Sequence, residues 1–504
     1  MATDKTDKSV LFVDTTLRDA HQCLWATRMT TAMMLPICEQ LNRGGYAAID
    51  LMGMVQFDVC VRYLREDPWE RIRRIRELVT EAPLKAYMRS KSLIGFDVLP
   101  DDVNALWVER LVANGIGMVA AFDALADLDN IVPNLLLAKR LGAKTCGALV
   151  FCESPIHTDA FYSGKAKELV ERAEVDWLMV KDSGGLLTVD RIRTLIPELR
   201  KVIGNTPIEL HSHCMTGMAP LVYLEAVKLG VKILDTSIDP LSNGPAQPST
   251  QTMIRNLQSM GYDTFIDQQI VDEISSHWHT VAEQEGLPKG VPMAYDAFHY
   301  EHQMPGGMLT NLKAQLDASG LADKYDEVLH ECAQIRQELA WPIMVTPFAQ
   351  LVGTQAVMNI VHGERYRVVP DEVKKYALGY YGKLPAPVDP DILDRIVRNG
   401  SDRIKLDPPE QPPMVNTLRK KYPSATDDER LLRFCLAGRE VDLIREAGPM
   451  RTDISIYRPL PQLLKELSTR RNWNSIHITG KGLNITLKEN PGSVQDNGAS
   501  LTSA

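Results

Sequence analysis

Short apolar runs alternate with longer amphipathic stretches along residues 10–260 of the chain. The apolar runs predict eight strands, at Val10–Thr16, Ala47–Met52, Leu84–Met88, Gly117–Asp123, Lys144–Phe151, Trp177–Asp182, Pro207–Cys214 and Val231–Ile238. The intervals predict helices, at Thr30–Asn42, Pro68–Val79, Asp102–Asn114, Ile131–Leu141, Ala160–Ala173, Val189–Val202, Ala219–Leu229 and Thr250–Met260. Continuous apolar strands that alternate with helices are typical of a parallel sheet, and eight such units in about 250 residues match a (β/α)8 barrel.

Polar residues stand at or just after the carboxyl end of nearly every predicted strand: Asp19, Asp50, Arg89, Asp123, Lys181, His211 and Asp235. In a closed barrel these side chains converge on one mouth, which is where barrel enzymes place their active sites. In a doubly wound open sheet, the alternative, they would be spread along one edge. The pattern therefore favours an α/β fold built on a (β/α)8 TIM barrel.

The periodicity becomes mainly helical after about residue 264, with long patterns at Ile270–Glu285, Gly307–Ala318, Lys324–Leu339, Gln350–Val361 and Asp391–Val397. Residues 425–470 are helical again, and Ile476–Thr486 alternates like a hairpin. The tail is rich in Gly, Ser, Asn and Thr, which predicts disorder. We therefore expect a barrel over residues 5–300, a mainly helical domain over 301–410, a helical and strand extension over 411–488, and a disordered tail over 489–504.

Charge and composition exclude several functional classes. The net charge of −9 argues against a general nucleic-acid binder or a membrane-surface binder. No apolar run approaches the ~20 residues of a membrane span, and the polar N-terminus lacks the apolar core of a signal peptide. The eight cysteines contain no C-x-x-C pair, which favours a reduced, cytoplasmic setting.

His211 and His213 end one predicted strand as a His-x-His pair. Because side chains on a strand alternate with a period of two, both rings face the same side and can reach one ion. The alternative is a pair of hydrogen-bonded polar histidines, but Asp19 and Lys181 at other strand ends favour a metal site. Imidazole and carboxylate ligands suit Zn, Co, Mn or Fe.

Lys181 needs a separate explanation because a protonated ammonium does not bind a cation. Three interpretations are open: a salt-bridge partner, a Schiff-base lysine, or a lysine that CO2 has converted to a carbamate with carboxylate-like oxygens. Burial at a barrel mouth lowers a lysine pKa and favours the last two. The residues by themselves do not decide among them.

Several long motifs resemble the biotin-dependent carboxyltransferases that act on pyruvate and oxaloacetate. That group includes pyruvate carboxylase, the oxaloacetate decarboxylase alpha subunit and the transcarboxylase 5S subunit. In the barrel the resemblance rests on Asp14 to Arg28, Glu66 to Arg71, Lys181-Asp182, His211-Ser212-His213 and Gln247-Pro248-Ser249. In the helical part it rests on Gln303 to Asn311, Val345-Thr346-Pro347, Gln350 to Gln355 and Leu378 to Gly382. The motifs span roughly residues 10–400.

The resemblance implies roles for matching positions. It implies a divalent metal (Zn, Co or Mn) bound by Asp19, carbamylated Lys181, His211 and His213. Gln22 and Arg89 match residues that hold the keto-acid carboxylate near carboxybiotin, and an arginine can grip a carboxylate with two parallel hydrogen bonds. A Lewis acid would polarise the 2-oxo group, so that the methyl carbon becomes an enolate and captures CO2. The candidate catalytic residues are Arg18, Gln22 and Lys181.

The chain departs from the family pattern at several pocket positions. Met54 stands where the family has glycine, and Phe96 stands where it has tyrosine, so a hydroxyl near the substrate is lost. Both are candidate substrate-binding residues beside Gln22 and Arg89. Pro245 replaces the threonine that carries a proton between substrate and biotin in most of the family, and a proline side chain cannot carry a proton.

Together these observations predict a metal-dependent carboxyltransferase subunit that moves a carboxyl group between carboxybiotin and a carbonyl substrate, most simply pyruvate or oxaloacetate. The chain contains no Ala-Met-Lys-Met biotinyl motif, so a biotin carboxyl carrier protein and a biotin carboxylase subunit are expected as separate partners. A homodimer is also expected. One alternative is the same reaction on a less polar carbonyl acceptor, and another is a biotin-independent, metal-dependent lyase or aldolase. A scaffold subunit is disfavoured because all four candidate metal ligands are present.

Overall fold

Eight parallel strands follow one another in chain order around a closed barrel in the computed structural model of the protein. The structure describes residues 8–318, 320–454, 467, 475–480 and 483–488. The strands are β1 (Ser9–Asp14), β2 (Ala48–Met52), β3 (Leu84–Arg89), β4 (Met118–Phe122), β5 (Lys144–Val150), β6 (Trp177–Asp182), β7 (Ile208–Ser212) and β8 (Ile233–Thr236). Pairing of β1 with both β2 and β8 closes the barrel, so the predicted TIM-barrel fold is confirmed.

The register of the barrel already aligns two of the candidate ligands. Lys181 on β6 pairs with His211 on β7, so their side chains leave the sheet at the same level. The two-residue strand Asp263–Thr264 continues the sheet beside the start of β1, outside the closed ring. The barrel thus presents the carboxyl ends of β6 and β7 side by side at its mouth.

Amphipathic helices cover the outside of the barrel, at Pro68–Leu78, Asp101–Ala113, Val132–Arg140, Asp159–Ala173, Val189–Ile203, Ala219–Lys228, Thr250–Ser259 and Gln268–Glu285. Hydroxyl caps start several of them; the Thr158 and Thr188 side chains, for example, each accept a backbone N–H of the first turn. The single helix predicted over 30–42 is wrong. It is divided into Thr31–Met34, a 3-10 turn at Leu35–Ile37, and Cys38–Arg43, because Pro36 lacks the N–H that a continuous helix needs.

Short helices that the periodicity does not predict line the mouth of the barrel. A wide turn of π-helix at Thr16–Ala20 and the helix His21–Leu24 follow β1, and Met54–Val59 and a second π-turn at Cys60–Leu64 follow β2. Elements of four to six residues are too short to show a helical repeat. They place Asp19 and Met54 directly at the barrel mouth.

A mainly helical region follows the barrel, with helices at His299–His302, Gly306–Ala318, Tyr325–Glu338, Phe348–His362, Asp371–Ala377, Pro390–Asn399, Val415–Lys421, Asp427–Cys435 and Gly438–Ala447. It belongs to the same compact unit as the barrel, which extends to Met450. Asp428, for example, pairs with Arg110 of an outer barrel helix at 2.6 Å. The domain boundaries at residues 300 and 410 stay predictions.

The second compact unit comprises Arg451–Ala504. Its described part contains an antiparallel pair of strands, Ser475–Gly480 and Leu483–Lys488, as the alternating pattern of residues 476–486 predicts. The predicted disordered tail at 489–504 lies outside the described residues. Within the described part of the chain, no helix has both the length and the apolar character to cross a bilayer.

Candidate metal centre and substrate cavity

The four predicted metal ligands meet at the carboxyl ends of β6 and β7. The Nε2 atoms of His211 and His213 lie 3.1 Å apart. Asp19 Oδ2 lies 3.2 Å from the first and 3.0 Å from the second, and Lys181 Nζ lies 3.0 Å from His211 Nε2. All four side chains are at least nine-tenths buried. Residues from three separate strand ends therefore form one cluster.

The hydrogen bond made by one nitrogen of each imidazole determines which nitrogen is left to bind an ion. His211 Nδ1 lies 2.7 Å from Asp235 Oδ2, and His213 Nδ1 lies 2.5 Å from the carbonyl oxygen of Pro245. Both partners accept hydrogen bonds, so each Nδ1 carries a proton. Burial opposes the charged form of His213, but Asp19 raises the pKa of His213 to about 10, so a cation that binds at Nε2 would displace a proton there. Two imidazole Nε2 atoms and a carboxylate oxygen that converge on one point form a ligand set that suits a divalent cation.

Two further residues lie against this cluster, and neither was predicted as a site residue. Gln247 Nε2 donates to Asp19 Oδ2 at 2.7 Å, while its Oε1 accepts from Thr15 Oγ1 at 2.8 Å. Cys23 Sγ lies 3.9 Å from His213 Nδ1, and the ligand atoms of Asp19, Cys23 and His213 all lie within 4.8 Å of one another. Gln247 holds the carboxylate in place, and Cys23 adds a candidate soft ligand.

Arg18 donates hydrogen bonds to two carboxylates. Its Nη1 donates to Asp19 Oδ1 at 2.6 Å, and its Nε donates to Asp50 Oδ2 at 2.7 Å. The guanidinium also packs over the Tyr87 ring at 4.4 Å from the ring centroid. Burial alone would raise the pKa of Asp19, but the neighbouring Arg18 and His213 hold it well below its usual range. Arg18 thus keeps Asp19 ionised and fixes its direction.

The surroundings of Lys181 shift its protonation equilibrium toward the neutral amine. Burial lowers the pKa of Lys181, and the positive charge of Arg18 acts in the same direction, while Asp19 opposes them. A neutral amine is the form that reacts with CO2 or with a carbonyl group. The electrostatics therefore support both the carbamate and the Schiff-base interpretations over a simple salt bridge.

A cavity of about 510 Å³ opens beside the cluster. Of the predicted substrate-binding residues, Gln22, Met54 and Arg89 line it. Phe96 does not; its side chain is 39% exposed, and its ring lies 5.7 Å from the Arg89 guanidinium. The helical region supplies one wall of the cavity, with Pro305, Gly306, Met308, Val345, Thr346 and Gln350. The cavity is therefore shared between the barrel and the helical region.

Arg89 presents a positive charge to this cavity. Its Nη2 donates to the carbonyl oxygens of Leu93, Ile94 and Gly95 at 2.7, 3.1 and 2.5 Å, and its Nε has no hydrogen-bond partner in the described structure. Burial lowers the pKa of Arg89 to about 10, so the group stays protonated at neutral pH. The loop anchors one nitrogen of the guanidinium and leaves donors for an anionic ligand.

A buried ion pair lies deeper in the barrel, below the cluster. Lys85 on β3 pairs with Glu209 on β7, and both side chains are fully buried. Cys146 Sγ on β5 donates to the other Glu209 oxygen at 3.1 Å. Polar side chains therefore fill the barrel interior under the site, and they connect strands that are not neighbours.

Replacing Asp235 with asparagine is expected to lower metal affinity roughly 10- to 100-fold, because the residue orients His211 through its Nδ1. Calorimetric titration with Zn²⁺ or Mn²⁺ measures the change. Asp176→Asn is the matched control, since Asp176 precedes β6 at the opposite end of the barrel and accepts from Thr145. Equal affinities for the two variants would contradict the orienting role.

Comparisons with known proteins agree with this geometry. Residues 300–439 match the conserved carboxylase domain family, and residues 123–277 match the HMGL-like family. The chain is 39% identical to a pyruvate carboxylase subunit of Methanocaldococcus jannaschii, over 82% of this chain and 73% of that protein. It is 33% identical to the methylmalonyl-CoA carboxyltransferase 5S subunit of Propionibacterium freudenreichii, over 77% and 76% of the two chains.

A solved structure shares the architecture described above. The carboxyl transferase domain of Rhizobium etli pyruvate carboxylase, as a variant with pyruvate, superposes with a TM-score of 0.82 at 25% identity. The superposition covers 98% of this chain and 87% of that domain. These identities extend over most of each relative, and the structural match covers both the barrel and the helical region. The chain therefore belongs to the biotin-dependent carboxyltransferase family of pyruvate carboxylase and transcarboxylase subunits.

Proposed function

We propose that the chain moves a carboxyl group between carboxybiotin on a separate carrier and pyruvate, giving oxaloacetate, and catalyses the reverse reaction. The observation that carries the proposal is the convergence of Asp19, His211 and His213 beside a cavity into which Arg89 presents its charge. A 2-oxo acid needs one site for its carbonyl oxygen and another for its carboxylate. The two relatives named as pyruvate carboxylase subunits support this choice of substrate.

The residues of the site have separate roles in this reaction. Asp19, His211, His213 and a carbamate on Lys181 would hold a divalent metal, and Zn, Co and Mn suit this ligand set. When bound, such a metal supplies a Lewis acid for the 2-oxo oxygen. Arg89 and Gln22 would hold the substrate carboxylate and orient the methyl group. Arg18 keeps Asp19 ionised and in place.

The composite cavity supports carboxyl transfer over the lyase or aldolase alternative. Six residues of the helical region line the cavity, so this region contributes directly to the site. An aldolase barrel does not need such a wall, whereas a second, carrier-borne reactant must be enclosed while water is kept out. We therefore infer that carboxybiotin enters the space between the barrel mouth and the helical wall.

The partners and setting follow from the same assignment. We propose that a biotin carboxyl carrier protein and a biotin carboxylase subunit act with this chain, because relatives at 33–39% identity are named as subunits. A homodimer is proposed on the general ground that most oligomers are symmetric. All eight cysteines are free thiols, and this supports a cytoplasmic location.

The metal-loaded chain is expected to release pyruvate from oxaloacetate, and free biotin should stimulate the release. Biotin accepts the carboxyl group only if the cavity holds both reactants, so the stimulation reports transfer and not simple metal-catalysed decarboxylation. A coupled lactate dehydrogenase assay with and without biotin measures it, and Asp19→Asn serves as the inactive control. Absence of stimulation at one metal per chain would contradict the proposal and would point to the less polar acceptor or to the lyase alternative.

A further inference from the structure

With proline at position 245, the proposed reaction lacks the side chain that carries a proton between substrate and biotin. Carboxyl transfer moves a proton from the methyl group of pyruvate to the biotin nitrogen that loses CO2. The ring of Pro245 lines the cavity but carries no O–H, and its carbonyl oxygen accepts the Nδ1–H of His213 at 2.5 Å. Another group on the cavity wall must therefore carry the proton.

Ser183 lies on the wall of this cavity. It follows the end of β6, two residues after Lys181, and it lines the same cavity as Lys181, His213 and Pro245. The His213 backbone N–H donates to the carbonyl of Asp182, the residue before Ser183, at 3.1 Å, and the His213 ring donates to the Pro245 carbonyl. Ser183 and Pro245 thus line the same cavity, close to the same metal-ligand candidate.

The hydroxyl of Ser183 also forms no hydrogen bond within the described residues. Its side chain is 9% exposed, and its Oγ has no hydrogen-bond partner in the described structure. A buried hydroxyl without a partner gives up its hydrogen bonds to water and gains none in return, so such a group calls for a functional explanation. No hydrogen bond within the described residues fixes its χ1 rotamer, and a rotation about one bond can aim the O–H at a ligand in the cavity.

Several other proton-bearing side chains on the cavity wall are hydrogen-bonded or exposed. Tyr87 donates its O–H to Met179 Sδ at 3.3 Å, and Thr346 Oγ1 accepts from Gln350 at 3.3 Å. Cys23 Sγ is engaged with His213, at 3.9 Å from Nδ1. Tyr63 is 60% exposed, so any proton it carried would be open to water. Among the hydroxyls that line the cavity, that of Ser183 has its oxygen buried without a hydrogen-bond partner in the described structure.

We propose that the Ser183 hydroxyl is the proton carrier of this enzyme, in the place of the threonine found in its family; this rests on the proposed function. As the N–CO2 bond of carboxybiotin breaks, its electron pair stays on the ureido group and takes the Ser183 proton. Ser183 Oγ in turn takes a proton from the pyruvate methyl group. The C–H electron pair forms the enolate and then the new C–C bond to CO2. One N–C and one C–H bond break, one N–H and one C–C bond form, and Ser183 ends unchanged.

The test compares the full, metal-loaded chain with Ser183→Ala, Ser183→Thr, and the double variant Ser183→Ala with Pro245→Thr. Ser163→Ala is the matched control, because Ser163 lies on an outer barrel helix and bonds to Ala160. Three readouts are used: kcat for biotin-stimulated oxaloacetate decarboxylation, deuterium exchange into the pyruvate methyl group by NMR with biotin present, and calorimetric binding of oxamate. Bound metal is measured for every variant.

The expected result is a loss of roughly 100-fold or more in kcat and in methyl exchange for Ser183→Ala, with oxamate binding and metal content unchanged. Ser183→Thr and the double variant should recover much of both rates, since each restores a hydroxyl beside His213. If Ser183→Ala keeps its rates within a few-fold of the wild type, the proton-carrier role is overturned while the carboxyltransferase assignment stands. If the metal-loaded wild type itself shows no biotin stimulation, the proposed function falls first, and this role falls with it.

Discussion

Replacing Lys181 with alanine is expected to release the bound metal and to lower kcat for biotin-stimulated decarboxylation roughly a thousandfold. Lys181 Nζ lies 3.0 Å from His211 Nε2, so an oxygen-bearing carbamate on this nitrogen falls next to the other three ligands. Without it, two imidazoles and one carboxylate are left to hold the ion. A Lewis acid supplies several kcal/mol of transition-state stabilisation, and about 4 kcal/mol corresponds to this loss. Metal content by mass spectrometry and steady-state kinetics measure the two effects.

Controls separate the three interpretations of Lys181. Lys91→Ala is the matched variant, since Lys91 lies just beyond β3 and pairs with Asp101. A carbamate predicts the added mass of one CO2 in native mass spectra and recovery of activity with bicarbonate after decarboxylation of the lysine. A Schiff base instead predicts that borohydride traps pyruvate on Lys181. An active, metal-replete Lys181→Ala enzyme would contradict both chemical roles.

Replacing Arg89 with alanine is expected to raise the KM for oxaloacetate steeply and to lower kcat/KM roughly 100-fold. Hydrogen bonds to a charged group contribute about 1.5–3 kcal/mol, and the upper end of this range corresponds to that factor. The guanidinium is buried and anchored through the carbonyls of the loop 93–95, so the donors facing the cavity are already oriented. Steady-state kinetics with oxaloacetate over a wide concentration range measure KM and kcat separately.

Arg89→Lys is the informative companion to this variant. A lysine keeps the charge but loses the two-pronged geometry, so it should recover only part of the lost kcat/KM. Because the hydrogen bonds of Arg89 in the described structure go to the loop 93–95 and not to the metal ligands, metal content should not change in either variant. An unchanged KM for Arg89→Ala would contradict the carboxylate-binding role, and it would favour an acceptor that carries no carboxylate at this point.

The sequence predicts the architecture and the central cluster well because both follow from short-range rules. Apolar runs and polar strand ends locate β1 to β8 to within a few residues. The period of two in a strand places His211 and His213 on one face, and parallel register brings Lys181 level with His211. Asp19 joins them because a barrel closes β1 onto β8, which is a consequence of the fold class itself.

The remaining contacts depend on side-chain directions that no local pattern records. Gln247 meets Asp19 across 228 positions in the chain, and Asp235 meets His211 from the next strand. Phe96 follows the family motif by position, yet the loop after β3 folds back onto Arg89 and leaves Phe96 outside the main cavity. The unpaired hydroxyl of Ser183 is likewise visible only when every possible partner has been placed.

The ion pair between Lys85 and Glu209 restricts how this barrel can change over generations. Loss of one buried partner leaves an uncompensated charge and costs about 3–5 kcal/mol, a large fraction of the stability of a typical domain. Replacement of both by apolar residues of similar volume is often neutral or even stabilising. In evolution, therefore, Lys85 on β3 and Glu209 on β7 can be replaced without a large loss of stability only if both are substituted together or in quick succession. Two positions 124 residues apart in the chain should thus co-vary among related sequences.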